Sequence, residues 1–247
     1  MTHAPDPSAT ERRVWSPVRL LRAGALGAWA ALFFWLLISG RASLYLSTRT
    51  SWVIPLGAIL STACLAGILA SARVREVEPI GWRAALSTAA IVLPVVVMVA
   101  TPPVSLGAFA AGRRGALTLG PAGAATSPTD MAGGRIELVD VAGALRDRSA
   151  MRALVERAGS RVSWIGFVNR EPGMPADEFF LTRFLVTCCA ADAVSLQVRV
   201  VEAPPGEFRV DDWVRVDGSV YPLGSEVLVD ASGVTKVPRP KRPYLNG

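Results

Sequence analysis

Three long stretches without a charged residue constrain this chain more than any other feature. They cover residues 23–40, 50–72 and 84–112. A helix needs about 20 mostly apolar residues to cross the roughly 30 Å hydrocarbon core of a membrane. We therefore predict three transmembrane helices, at 20–39, 52–72 and 82–100. Three buried helices of a soluble domain are the alternative, which is disfavoured because soluble helices of this length usually have a polar face.

The overall composition excludes several classes of enzyme. Only 19% of the residues are charged, against about 25% in a typical soluble protein. The single histidine, His3, lies in a polar N-terminal segment, which argues against Ser-His-Asp chemistry and paired-histidine zinc motifs. Three cysteines are too few for a disulfide framework. No motif in the sequence indicates a particular reaction, and we predict that the chain is not an enzyme.

The distribution of charge predicts the orientation in the membrane. Residues 1–134 carry the whole formal charge of +6, whereas residues 135–247 contain equal numbers of basic and acidic side chains. Arginines cluster before the first predicted helix and between the second and third. By the positive-inside rule, this multi-pass protein of the cell membrane has a cytoplasmic N-terminus and an extracytoplasmic C-terminal domain. A cleaved signal peptide is the alternative for the first helix, but its apolar run is too long.

The chain divides into five parts by composition. The predicted parts are a cytoplasmic tail at 1–19, a transmembrane region at 20–101, a flexible Pro/Gly/Ala linker at 102–134, a soluble β-rich domain at 135–235 and an irregular tail at 236–247. Alternating apolar residues predict strands in the fourth part. The predicted strands are 161–169, 179–187, 195–201, 213–220 and 226–230, after a helix at 149–158.

Five short strands in about 100 residues predict a small all-β, OB-like barrel. A β-sandwich is the competing interpretation. Many OB-type barrels bind nucleic acid through a basic groove and exposed aromatic side chains. This domain is neutral, and Trp164 and Trp213 occupy strand positions expected to be in the core. We therefore expect no nucleic-acid partner.

One cluster of residues could carry chemistry. Cys188 and Cys189 are adjacent, and Asp192 follows three residues later. A disulfide between neighbours is difficult because their Cα atoms lie only about 3.8 Å apart. A transition metal could use all three side chains, although adjacent side chains on a strand point to opposite faces. Burial of one cysteine in the core without any chemical role, and contact with a partner, also remain open. No cofactor is assigned.

Four segments of the sequence resemble a known family. They are "SLYLSTR" after the first helix, "VSWIGFV", "TRFLVTCCAADA" and "DDWVRVDGSV". Together with the three predicted spans they are similar to the bacterial YcgQ-like membrane proteins, described as permease subunits with a C-terminal domain of unknown function. The matching hallmark positions are Arg183, Cys188, Cys189 and Asp192. Thr48 departs from the pattern, which has proline before the arginine.

The resemblance implies a partner, because members of this family are typically encoded beside a larger multi-span permease. We therefore expect a non-enzymatic accessory subunit that contacts such a permease and membrane lipid. The absence of ionisable residues deep in the spans agrees, since transport pathways usually place such groups there. The alternative is a thiol-dependent metal-handling or redox protein of the envelope that uses Cys188 and Cys189. A purely structural envelope protein is a third hypothesis.

Overall fold

A computed structural model describes residues 14–74, 79–101, 105–113, 134–224 and 226–246. The chain forms two compact units. The first contains residues 1–42 and 52–103, and the second contains residues 43–51 and 104–247. Nine of the residues between the first two long helices, 43–51, are therefore part of the C-terminal unit.

The first unit contains three helices that are long and apolar enough to cross a membrane, as predicted. They are α1 (Pro17–Ser39), α2 (Val53–Ala70) and α3 (Trp82–Ala100). Two short strands pair antiparallel: β1 (Val14–Trp15) precedes α1, and β2 (Arg73–Val74) follows α2. Helix α1 begins three residues before the predicted position because Ser16 caps it and Pro17 stands at its first position.

Helix α1 packs against both α2 and α3. A Cβ atom placed on Gly57 of α2 would lie 2.7 Å from the ring of Phe33, so this glycine allows the two helices to approach closely. No atom lies within 4 Å of a Cβ atom placed on Gly24 of α1 or on Gly67 of α2. The indole of Trp29 donates to the carbonyl of Ile91, three residues before Pro94 in α3.

The second unit is built on a closed five-stranded barrel. Its strands are β3 (Arg161–Asn169), β4 (Phe179–Val186), β5 (Val194–Val201), β6 (Trp213–Leu223) and β7 (Glu226–Lys236). They follow the order β3-β6-β7-β5-β4, and β4 pairs again with β3. Only β5 and β7 pair in parallel among these five. This is the arrangement of an OB-like barrel and confirms the predicted fold.

The alternation in the sequence correctly predicts the inward-facing side chains. Leu196, Val198 and Val200 of β5 are fully buried. The indole of Trp164 lies in the same core and donates to the carbonyl of Ile136 over 2.9 Å. A Cβ atom on Gly166 would lie 2.8 Å from the carbonyl oxygen of Thr182, so β3 and β4 can meet here only because this residue is glycine.

Two short helices precede the barrel. They are α5 (Leu138–Ala144) and α6 (Arg148–Val155), which follow α4 (Ala108–Arg113) in the chain. Helix α6 corresponds to the predicted helix at 149–158, and Asp147 caps it by accepting from the main-chain N–H groups of Ser149 and Ala150. Helix α5 was not predicted, because seven residues are too few for a recognisable apolar period.

A second apolar cluster lies outside the barrel core, and three expectations are corrected in this region. Ala108 and Ala111 of α4 pack with Phe167, Phe184 and Tyr244. Residues 105–113 are thus ordered rather than part of a flexible linker, and the remaining linker residues 102–104 and 114–133 lie outside the described residues. The tail was expected to be irregular, but Leu245–Asn246 forms β8 and pairs in parallel with β4. Trp213 is partly buried in this outer cluster, not in the barrel core.

Candidate functional site

The cysteine pair lies in a turn directly after β4. Strand β4 ends at Val186, and residues 190–192 form a single 3-10 turn. We call residues 187–192 the cysteine turn. Because neither cysteine belongs to a regular strand, the expected alternation of their side chains between two faces does not apply. The Sγ atoms of Cys188 and Cys189 lie 3.6 Å apart, and both thiols are free.

The carboxylate of Asp192 organises this turn. Its Oδ1 accepts from the N–H of Thr187 over 3.0 Å, and its Oδ2 accepts from the N–H groups of Cys188 and Cys189 over 2.7 and 3.3 Å. Partial burial is the largest influence on Asp192 and opposes its ionisation. The hydrogen bonds from the Cys188 thiol and the three N–H groups together outweigh burial, so the pKa of Asp192 lies below its ordinary value.

The same carboxylate changes the chemistry of Cys188. The hydrogen bond between the Cys188 thiol and Asp192, followed by that with Cys189, raises the pKa of Cys188 to about 11. A thiol with this pKa is protonated near neutral pH and is a poor nucleophile, because the thiolate is the reactive species. The Cys188 side chain is exposed, whereas Cys189 and Asp192 are half-buried.

The cysteine turn is held on its other side by residues that sequence analysis did not select. They belong to the segment Ser43–Ser51, which we call the α1–α2 loop. The N–H of Ser47 and the hydroxyl of Thr50 both donate to the carbonyl of Cys188, over 3.1 and 2.5 Å. Ser47 Oγ donates to the carbonyl of Thr187 over 2.8 Å. The main chain of Leu46 also forms an antiparallel bridge with Cys189.

These contacts supply hydrogen-bond partners to the main-chain N–H and carbonyl groups next to Cys188. Its N–H and that of Thr187 point to Asp192, while the carbonyls of both residues point to the α1–α2 loop. Buried or half-buried main-chain groups need such partners. The only signal for the loop in the sequence was its presence among the segments shared with the YcgQ-like family, because no local pattern predicts a contact across 140 residues.

Arg183 is separated from the cysteine chemistry. Its guanidinium donates to the carbonyls of Arg242, Pro243 and Ile165, and lies 5.8 Å from the ring centre of Trp213. Burial lowers the pKa of Arg183 from its ordinary value. The side chain therefore anchors the C-terminal segment to the barrel. Of the four predicted site residues, the structure brings together Cys188, Cys189 and Asp192.

The three clustered side chains have the composition of a metal site. One ligand atom from each of Cys188, Cys189 and Asp192 lies within 4.8 Å of the others. Two sulfurs bound to one tetrahedral Zn²⁺ are separated by about 3.8 Å, because each Zn–S bond is about 2.3 Å. The observed 3.6 Å between the two Sγ atoms is close to this value. The separation of the two Sγ atoms is therefore compatible with their binding one cation.

The C-terminal unit matches one protein family. Residues 149–246 contain a DUF1980 C-terminal domain. This DUF1980 domain includes all five barrel strands, the cysteine turn and β8, and it is a domain of unknown function. The match agrees with the resemblance to YcgQ-like proteins. A comparison with curated proteins finds no match for the chain.

Proposed function

We propose that this chain is a non-enzymatic accessory subunit of a bacterial membrane permease. Its three spans would dock on a larger multi-span partner and its barrel would lie outside the cytoplasm. The observation that carries the proposal is the contrast between the two units. The apolar segments 23–39, 53–70 and 84–100 contain no acidic or basic residue, whereas the barrel carries exposed polar groups. Such spans lack the groups that line most transport pathways, which favours a supporting role beside a permease.

The proposed orientation places the N-terminus in the cytoplasm and the barrel outside. The arginine distribution supports it through the positive-inside rule. Three spans also put the α1–α2 loop and the C-terminal domain on the same side of a membrane, as their joint folding in one unit requires. Reporter fusions after Gly112 and after Gly247 should both give an extracytoplasmic signal. A cytoplasmic signal from either fusion would contradict this orientation.

Co-purification tests the accessory role. The full chain is extracted in a mild detergent from cells that also express a candidate multi-span permease, and associated proteins are identified by mass spectrometry. We expect the permease in near-stoichiometric amount and loss of its transport activity when this chain is deleted. Recovery of the chain alone, with full permease activity in the deletion strain, would contradict the proposal and favour a purely structural envelope protein.

A second candidate function is metal handling by the cysteine turn. The 3.6 Å separation of the two Sγ atoms favours it, because it matches the spacing of two thiolates on one cation. A soft or borderline cation fits two sulfur ligands best.

The metal-handling proposal is tested with Zn²⁺ on the full chain in detergent. A Cys64→Ser background removes the third thiol, which lies in α2. The parent should bind one equivalent of Zn²⁺ in competition with a chromogenic chelator, and the Cys188→Ser/Cys189→Ser variant should bind none while remaining folded. Equal binding by the parent and the double variant would contradict a role for the pair.

A further inference from the structure

We infer that the α1–α2 loop is a positioning element of the thiol site, so that metal occupancy and docking of this loop favour each other. This inference rests on the metal-handling proposal above and deepens it. The cation would be bound by the two sulfurs of Cys188 and Cys189, each of which loses its thiol proton as the bond to the metal forms. The loop touches neither sulfur, and it acts through the main chain of the cysteine turn.

The first step is the geometry of the turn itself. The two side chains must leave the main chain in directions that keep their Sγ atoms 3.6 Å apart. Directions of this kind depend on the main-chain dihedral angles, which are set here by hydrogen bonds on two sides. Asp192 holds the N–H groups of Thr187, Cys188 and Cys189. Because a peptide unit is planar, Asp192 holds the N–H end of the units whose carbonyls belong to Thr187 and Cys188.

The second step is the role of the loop in holding those carbonyls. The carbonyl of Cys188 accepts from both the N–H of Ser47 and the hydroxyl of Thr50, and the carbonyl of Thr187 accepts from Ser47 Oγ. The N–H of Ala190 donates to the carbonyl of Tyr45 over 2.8 Å. The peptide units on both sides of Cys188 are thus held at the N–H by Asp192 and at the carbonyl by the loop, and the docked loop restricts them further.

The third step is thermodynamic reciprocity. If docking of the loop raises the affinity for the cation, the bound cation must favour docking by the same factor. Ser43–Ser51 lies in the chain between α1, which ends at Ser39, and α2, which begins at Val53. A cation bound at the cysteine turn would therefore stabilise the docked position of the segment that connects two membrane spans. This effect needs no movement of a whole domain.

Matched variants of the loop test this inference. Thr50→Val and Ser47→Ala each remove a hydroxyl that donates to the cysteine turn. Ser51→Ala is the control, because the Ser51 hydroxyl donates to the carbonyl of Thr48 within the loop itself. In the Cys64→Ser background, we expect Thr50→Val and Ser47→Ala to weaken Zn²⁺ binding by roughly 3- to 10-fold, the effect of one net hydrogen bond. Ser51→Ala should bind like the parent.

The reciprocal measurement distinguishes positioning from a general loss of stability. Amide hydrogen exchange at Ser47 and Ala190 should slow when Zn²⁺ is added to the parent, and should not respond in the Cys188→Ser/Cys189→Ser variant. If the parent binds Zn²⁺ through the cysteine pair but the loop variants bind equally well, the coupling is overturned while the metal site stands. If the parent binds no Zn²⁺, both the coupling and the metal-handling proposal are overturned.

Discussion

The main-chain N–H of Thr48 donates a hydrogen bond to Oδ1 of Asn246, over 3.1 Å. These residues are 198 positions apart, one in the α1–α2 loop and the other in the last strand of the chain. The contact requires a residue with a main-chain N–H at position 48. A proline at position 48 would have no N–H to donate.

Replacement of Asn246 should weaken the attachment of the α1–α2 loop. We expect Asn246→Ala to lower the free energy of unfolding of the C-terminal unit by about 0.5–1 kcal/mol, the usual net contribution of one hydrogen bond. Asn246→Asp is the matched control, because it retains an oxygen acceptor at the same place. Thermal unfolding of the full chain in detergent measures both. Equal losses in the two variants would show that the accepted hydrogen bond does not matter.

Gly166 should tolerate no side chain. Its Cβ would lie 2.8 Å from the carbonyl oxygen of Thr182 and 2.9 Å from the side chain of Leu181. We expect Gly166→Ala to destabilise the barrel by about 1–3 kcal/mol through overpacking. Gly233→Ala in β7 is the control, since nothing lies within 4 Å of a Cβ there. Denaturant unfolding followed by tryptophan fluorescence compares the two. Similar stabilities would contradict the close approach of β3 and β4.

Alkylation of Cys188 should depend on pH in a defined direction. Because the pKa of this thiol is raised to about 11, its thiolate is scarce at pH 8, and the rate should rise with pH until about 11. Asp192→Asn removes the largest cause of the shift and should accelerate alkylation at pH 8. Mass spectrometry of iodoacetamide-treated protein measures the rate.

The control for this experiment is Asp147→Asn. Asp147 is also a capping carboxylate with a lowered pKa, but its hydrogen bonds go to Ser149 and Ala150. This variant should leave the alkylation profile of Cys188 unchanged. A profile in the parent with its midpoint near the ordinary thiol value of 9.0 would contradict the influence of Asp192 on Cys188.

Arg183 should act as an anchor for the C-terminal segment. Its guanidinium donates to the carbonyls of Arg242 and Pro243, and a shorter or uncharged side chain cannot reach all of these partners. We expect Arg183→Ala to destabilise the unit by about 1.5–3 kcal/mol and to expose the last residues to proteolysis. Arg215→Ala, at an exposed position of β6, should have neither effect. Unchanged protease resistance in Arg183→Ala would contradict the anchoring role.

The membrane spans and the barrel were predictable because their signals are local. Each span is a long uncharged run, and its end points needed only small corrections from caps such as Ser16 and Pro17. The barrel strands carry the two-residue alternation that burial on one face imposes, as at Leu196, Val198 and Val200. Patterns of this kind depend only on residues that are close together in the sequence. They can therefore be recognised without the tertiary structure.

The features that the sequence did not predict depend on contacts between segments that are far apart in the chain. Residues 105–113 and the tail at 244–246 look irregular in composition, yet they are ordered because the outer face of the barrel offers them Phe167 and Phe184. Trp213 fits the alternation of a strand but packs on the outer side. The alternation rule also failed at Cys188 and Cys189, since β4 ends two residues before the first of them.

The sequence by itself determined the three spans, the OB-like barrel and the residue types available for chemistry. The length of an apolar run and the spacing of apolar residues along a strand depend only on nearby positions in the chain. Only the tertiary structure decided that Cys188, Cys189 and Asp192 converge, that Arg183 serves the C-terminal segment instead, and that Ser47 and Thr50 hold the cysteine turn. The contacts of Ser47 and Thr50 join segments about 140 residues apart, and those of Arg183 join segments about 60 residues apart. Hydrogen bonds over such separations form only after the barrel has brought the segments together.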